Sequence, residues 1–443
     1  VVSQQELAKV GSAYDPNDYI GKLGIEVAYE QYLKGVNGVK QTEVDATGKP
    51  IKLLGSIDPV PGSVVHLNIN AGLQKQLYES FKKISPNVKG AAVALDPLTG
   101  QVLALVSVPG FNNNLFAPGI SQDSYQALLG DKNLPLYNRA LSGVYPPGST
   151  LKVVAATAAL QENIVSPETV IVDRGVLVIP NQYNPNQQYN FYGWKRNGLG
   201  PMTVYSAIAE SSDIYFYTIS GGHPNSPIKG LGVEKLAEYY KKFHLGKPTG
   251  IDLQGEKPGV VADPEWKARY FKDDPVLSRW YLGDTYHIGI GQGDMLVTPL
   301  QVAVWTAAIA NNGTAYKPTV VNEIIDQNQN LVYKSKPEPI IKDVASINNL
   351  KVVQQGMRQT VLYGSGVQLS SLSVPTAGKT GTSQFDGSDP SRTHAWFTAY
   401  GPFDNPRLVV TVLVEAGGEG HAAAVPIAKQ AFQWCIDNNC FPK

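Results

Sequence analysis

The chain is poor in the residues that metal and redox chemistry use. Its 443 residues include 2 cysteines, 6 histidines and 3 methionines. Cys435 and Cys440 sit near the C-terminus and show no metal-ligand spacing. A helical turn followed by Asp437-Asn438-Asn439 can bring them together, so a terminal disulfide stays open. The histidines are scattered, without a His-x-x-x-His pair, and neither a metal site nor a cofactor is expected. No run of about 18 apolar residues occurs, so no segment reads as membrane-spanning. An excess of charge is missing too. Lys+Arg and Asp+Glu both number 37, which gives no general attraction to nucleic acid, and no nucleic-acid partner is expected. The chain opens at Val1 without a signal-like stretch, as a processed start or a soluble piece of something longer would.

What is present suits a large folded unit. Hydrophobic residues make up 43% and charged residues 17%, enough for a sizeable core. The length fits one large domain plus a smaller one. Tyrosine is abundant at 23, and with Asn, Gly and Pro it points to long polar loops. Such loops fit a carbohydrate or peptide substrate, and equally an ordinary surface.

Residues 1–62 read as a small module with little core of its own. A short amphipathic helix is expected over Val27 to Leu33. Two strands follow, around Lys40 to Val44 and Pro50 to Leu54, turning at Thr47-Gly48-Lys49. Residues 63–443 read as the larger unit. It starts near Val64 to Leu67 and continues with a helix from Ala71 to Ile84. Ala91 to Leu95 and Val102 to Val106 flank Asp96-Pro97-Leu98-Thr99-Gly100, the clearest hairpin in the chain. Three late strands match it, Thr376 to Thr382, His394 to Tyr400 and Leu408 to Val414, before a helix from Ala422 to Ile436. The middle, 135 to 365, reads as mostly helical. The fold class is therefore α+β: a mainly antiparallel sheet, flanked by helices, with a helical insertion between its early and late strands.

Three strings carry chemistry. Tyr145-Pro146-Pro147-Gly148 precedes Ser149, and the apolar segment Leu151 to Leu160 should be a buried helix. Ser149 and Lys152 then lie on one face, about one turn apart. A lysine at the edge of an apolar helix is expected to be partly desolvated, which favours its neutral form and makes it a candidate base. The bland alternative is a helix-capping serine beside a solvated lysine. Ser-x-x-Lys recurs at Ser80/Lys83 and Ser226/Lys229, so alone it says little.

Ser211-Ser212-Asp213 follows a helical segment, Val204 to Glu210. Ser211 supplies a second hydroxyl for proton relay, and Asp213 a carboxylate for a lysine. The alternative is a cap or turn, as at Ser56-Ile57-Asp58 and Ser346-Ile347-Asn348. Gly378-Lys379-Thr380-Gly381-Thr382 lies on an expected strand. A phosphate loop needs a further glycine five positions before Gly378, where Ser373 stands, so a nucleotide site is rejected. On an exposed strand edge Lys379 clamps a carboxylate, Thr380 and Thr382 donate hydrogen bonds, and Gly381 admits a substrate backbone. Gly289-Ile290-Gly291-Gln292-Gly293 lacks dinucleotide spacing and reads as a closely packed loop. His394 reads as structural.

In order and flanks the three strings resemble the penicillin-binding serine transpeptidases, whose motifs are Ser-x-x-Lys, Ser-x-Asn/Asp and Lys-Thr-Gly. Tyr145 to Lys152, Gly291-Gln292-Gly293 with Thr298-Pro299-Leu300-Gln301, and His394-Ala395-Trp396-Phe397 look like the monofunctional class B members. Ile20 to Glu26 and Leu33-Lys34-Gly35 look like the non-catalytic pedestal of that class. Asp213 in place of the commoner Asn is similar to the elongation type. Some elongation-type members hold zinc through Asp, His and Cys between the first two motifs. This chain has no His or Cys between Ser149 and Ser211, so that site is not expected.

The resemblance implies a penicillin-binding transpeptidase fold with a five-stranded sheet, and an acyl-enzyme mechanism. Ser149 attacks the bond between the terminal D-alanines of a peptidoglycan stem peptide, and Lys152 takes its proton. Ser211 passes a proton to the leaving D-alanine, and Asp213 balances Lys152 or Lys379. Lys379, Thr380 and Thr382 hold the terminal carboxylate, beside Gly381. Backbone N–H groups of Ser149 and Thr382 form the oxyanion hole. Implied partners are stem peptides, β-lactams, a membrane glycan polymerase of the SEDS type and rod-shape scaffold proteins. The implied place is the extracytoplasmic face of the bacterial cytoplasmic membrane, with an anchoring helix that this chain lacks. The competing readings are a D,D-carboxypeptidase or β-lactamase, which passes the acyl group to water, and a non-catalytic β-lactam sensor.

Overall fold

The hairpin anticipated around Asp96 to Gly100 forms as Gly90–Leu95 (β1) and Val102–Val108 (β2). Gly100 has φ +80° and backs onto Lys317, so the corner needs a glycine. The late strands are Ala377–Gln384 (β3), Thr393–Gly401 (β4) and Leu408–Val414 (β5). All five make one sheet in the order β3-β4-β5-β1-β2, every pair antiparallel. The computed structural model describes residues 2–10, 14–16, 18–117, 119–181, 184, 186–224, 226–389 and 391–441.

Both faces of the sheet are covered. Ala91, Val93 and Leu95 enter one core, and Ala92 and Ala94 the other. Burial on both sides explains why β1 reads as an apolar run, and β5 as one broken only by Thr411, rather than as alternating strands. Helix Ala71–Lys82 (α1) covers the second core, capped by Asn70, whose side chain accepts from Gly72 and Leu73 N–H at 3.0 and 3.1 Å. The helical insertion includes Lys152–Gln161 (α2), Asp213–Gly221 (α3) and Pro299–Ala310 (α4). Every residue of α4 is buried, and it packs on β1 and β5 from the first core. Gly420–Asp437 (α5) closes the chain beside α1.

The middle is less helical than expected. Ile171–Asp173 pairs with Gly200–Met202, Val176–Pro180 with Gln188–Tyr192, and Ala315–Tyr316 with Pro339–Ile341. Val321–Ile325 pairs with both Leu331–Lys334 and Val64–Leu67. These ladders are short and half-exposed, so their apolar pattern is weak.

The N-terminal module carries the hairpin Val39–Val44/Pro50–Ile57, exposed along its length. The helix expected over Val27 to Leu33 is split into Gly24–Ala28 and Glu30–Leu33. Tyr29, between them, leaves helical geometry (φ −122°, ψ 21°), and its hydroxyl donates to Asp252 Oδ2 at 2.7 Å. Asp252 also accepts from Val320 and Val321 N–H, so this contact ties the module to the larger unit.

At the C-terminus Cys440 N–H donates to Cys435 O at 2.9 Å, and both cysteines are free thiols. Among the described residues no helix is long and apolar enough to cross a membrane, and no cluster of His, Cys, Asp and Glu could hold a metal.

Candidate active site

Ser149 sits on a turn that two glycines make possible. Gly148 N–H donates to Gly291 O at 2.9 Å, and a Cβ on Gly291 would overlap Gly148 O. This is the close packing expected of the Gly289 to Gly293 loop. Gly148 has φ +53°, and its own Cβ position lies 2.8 Å from Thr382 O. Gly148–Leu151 is a 3-10 turn, closed by Thr150 Oγ1 donating to Pro147 O at 2.7 Å. Trp396 Nε1 holds Pro146 O at 3.0 Å. Helix α2 starts after Ser149 without a side-chain cap, so the half-buried serine hydroxyl is not a capping group.

Lys152, wholly buried one turn on, points at the second string. Its Nζ donates to Asp213 Oδ1 at 2.6 Å, Ser211 O at 2.9 Å and Ser211 Oγ at 3.3 Å. Ser211 has φ +58°, a left-handed conformation unusual for serine. Its neighbour Ser212 is the capping residue. Ser212 Oγ accepts from Tyr215 N–H at 3.1 Å and donates to Asp173 Oδ2 at 2.6 Å. Contact with Lys152 and helix capping are thus divided between adjacent serines.

The third string lies on β3, an edge strand. Lys379 is fully buried there rather than exposed, and its Nζ donates to Thr380 O at 3.1 Å. Successive strand residues face opposite ways. Gly381 turns inward, where a Cβ would meet Thr150 at 2.9 Å and Trp396 at 3.0 Å. The missing side chain lets the turn carrying Ser149 approach the strand. Thr380 Oγ1 shares a hydrogen with Ser365 Oγ at 2.5 Å. Thr382 Oγ1 donates to Glu419 Oε2 at 2.9 Å, and Thr382 O accepts from Gln292 Nε2 at 3.5 Å.

The electrostatics couple all three strings. Burial pushes the Lys152 ammonium down from the ordinary lysine range, and the charge of Asp213 opposes that shift. Lys379 is pushed down further, by burial first and then by the charge of Lys152. Asp213 carries the ion pair with Lys152, and its effect on Lys379 is Coulombic only. The other oxygen of Asp213 accepts from Trp194 N–H at 2.9 Å.

His394 is structural. Its Nδ1 accepts from Ala416 N–H at 3.2 Å, and the ring stacks on Phe385 with centroids 4.2 Å apart. Burial lowers its pKa to about 4. The two other Ser-x-x-Lys copies do not rebuild the arrangement. Ser80 Oγ donates to Gln76 O within α1, and Ser226 Oγ accepts from Ile228 N–H in a turn. Sequence reasoning missed Asp173, Trp194, Ser365 and Glu419. None lies in a motif, and Trp194 acts through a backbone N–H that any residue but proline has.

The chain matches the family model of the penicillin binding protein transpeptidase domain over residues 90–433, and that of the penicillin-binding protein dimerisation domain over residues 1–67. It is 37% identical to the peptidoglycan D,D-transpeptidase MrdA of Haemophilus influenzae, across 96% of this chain and 64% of that protein. The chain thus spans under two thirds of that relative's length. Among solved structures, PBP2 of Helicobacter pylori, in complex with MreC, superposes with a TM-score of 0.81 at 29% identity. The match covers 99% of this chain and 76% of that one. A chain of a peptidoglycan synthase complex, described for the coordination of polymerization and crosslinking, gives 0.82 at 34% identity, over 96% and 72%.

Proposed function

The chain belongs to the penicillin-binding protein transpeptidase family, and from that premise we infer that it is an elongation-type peptidoglycan D,D-transpeptidase. The observation that carries the reading is Lys152. One buried amine is one turn from Ser149 and bonded to both Ser211 and Asp213. Those contacts support Lys152 as the base and Ser211 as the relay hydroxyl for Ser149, without a histidine.

In this reading Ser149 Oγ attacks the carbonyl between the two terminal D-alanines, and its proton passes to Lys152. Ser211 relays a proton to the departing D-alanine. Lys379, Thr380 and Thr382 hold the terminal carboxylate. The contact of Gly148 with Thr382 O makes the backbones of Ser149 and Thr382 neighbours, which suits an oxyanion hole. Losing one such donor costs about 100- to 1,000-fold in rate. An amine of a second stem peptide then takes the acyl group. A β-lactam acylates the same serine and stays.

Residues 1–62 serve as the pedestal and 63–443 as the transpeptidase domain. The relatives solved with MreC and within a synthase complex support a rod-shape scaffold and a membrane glycan polymerase of the SEDS type as partners. Partners of that kind support a location at the extracytoplasmic face of the cytoplasmic membrane. Incubation with nascent glycan strands tests the activity. Cross-linked dimers and free D-alanine are expected from the unmodified protein and not from Ser149→Ala. Release of D-alanine with no cross-link, when an acceptor amine is present, would favour a carboxypeptidase.

A further inference from the structure

We propose that Glu419 is a specificity-determining residue that competes with the ligand carboxylate for the hydroxyl of Thr382. The inference rests on the reading above, in which Thr382 grips the terminal carboxylate of the donor peptide. A threonine hydroxyl has one hydrogen to give. Here that hydrogen is committed, since Thr382 Oγ1 donates to Glu419 Oε2 at 2.9 Å. The same oxygen accepts from Gly420 N–H at 3.3 Å. Thr382 can donate to an incoming carboxylate only after releasing Glu419.

Glu419 is held in place by its neighbour. A Cβ on Gly420 would overlap both Gly381 O and Trp396 O, so the backbone at the start of α5 lies directly on β3 and β4. That contact anchors the backbone next to Glu419, whose exposed side chain meets Thr382 toward the end of β3, where an anionic ligand is expected. Among the described residues no salt bridge includes Glu419. Its charge is therefore not neutralised by a directly paired cation. A ligand anion seated on Thr382 meets a like charge as well as a competing acceptor, whereas a neutral ester meets only the competing acceptor.

Acylation of Ser149 by benzylpenicillin, an anion, and by its neutral methyl ester tests this. The binding constant and the acylation rate constant are to be resolved for the full chain. Glu419→Ala is expected to raise the second-order rate for benzylpenicillin about three- to tenfold, mostly through tighter binding. The ester, which feels no like charge, should gain clearly less. Glu419→Gln, which keeps an acceptor and loses the charge, should fall between. In a Thr382→Val background the gain should vanish. An unchanged or slower rate in Glu419→Ala, or an equal gain for the ester, overturns the inference. An unmodified protein that forms no Ser149 adduct overturns the transpeptidase reading, and this inference with it.

Discussion

Lys152 Nζ and Asp213 Oδ1 lie 2.6 Å apart, with the lysine side chain wholly buried. Trp194 N–H holds the other carboxylate oxygen at 2.9 Å, so Asp213 is fixed from two sides. Burying an ammonium is costly unless it is paired, and this single contact pairs it. The ion pair also sets how readily Lys152 gives up its proton.

The first prediction concerns that proton. In the proposed mechanism Lys152 is a base only when neutral, so acylation should fall as pH drops through its pKa. Burial lowers that pKa and Asp213 raises it. Removing the negative charge must therefore move the acid limb of the acylation profile to lower pH. Asp213→Asn should show this shift in second-order acylation by a fluorescent penicillin. A limb that stays in place or moves upward would show that Asp213 does not tune the base.

Ser211 and Ser212 should separate cleanly. Ser211→Ala removes a hydroxyl bonded to Lys152 and should slow acylation by roughly 100-fold or more, with little change in thermal midpoint. Ser212→Ala removes a helix cap and the bond to Asp173, and should cost about 1–2 kcal/mol of stability. Paired melting and acylation measurements decide it. Equal effects on both readouts would refute the division of roles.

Gly291→Ala should disable the site from a distance. The added methyl overlaps Gly148 O, so the turn carrying Ser149 has to shift. A displacement near 1 Å can cost about 100-fold in rate. Acylation at the unmodified rate would show that the turn tolerates the change.

His394 should weaken the fold in acid. Its folded pKa of about 4 lies below the unfolded value of 6.5. The unfolded chain therefore takes up a proton first as pH falls. The contribution of the neutral imidazole is complete above pH 6.5 and is lost as pH drops toward about 4. Urea midpoints at both ends of that window should fall more for the unmodified protein than for His394→Gln. Parallel losses would place the acid sensitivity elsewhere.

Much of the architecture is legible before any coordinates. The apolar runs of β1 and β5 and the Asp96 to Gly100 corner are local signals, and they specify the sheet. The split at Tyr29 is not local. It depends on Asp252, 223 positions away, and no helical periodicity expresses that partner. The ladder Val176–Pro180/Gln188–Tyr192 is half-exposed, so its residues carry little apolar pattern. In the site, Ser149, Lys152, Ser211, Asp213 and Lys379 stand out as residue types in motifs. The burial of Lys379 and the inward face of Gly381 follow from packing against the nucleophile turn, which only the folded chain defines. Glu419 becomes visible once α5 is seen lying on β3.

Mass analysis of the protein after incubation with benzylpenicillin tests the central claim most directly. The account predicts one long-lived adduct, mapped to the peptide that carries Ser149 and absent from Ser149→Ala. An adduct on another residue, one that persists in Ser149→Ala, or rapid turnover to free penicilloate would contradict it.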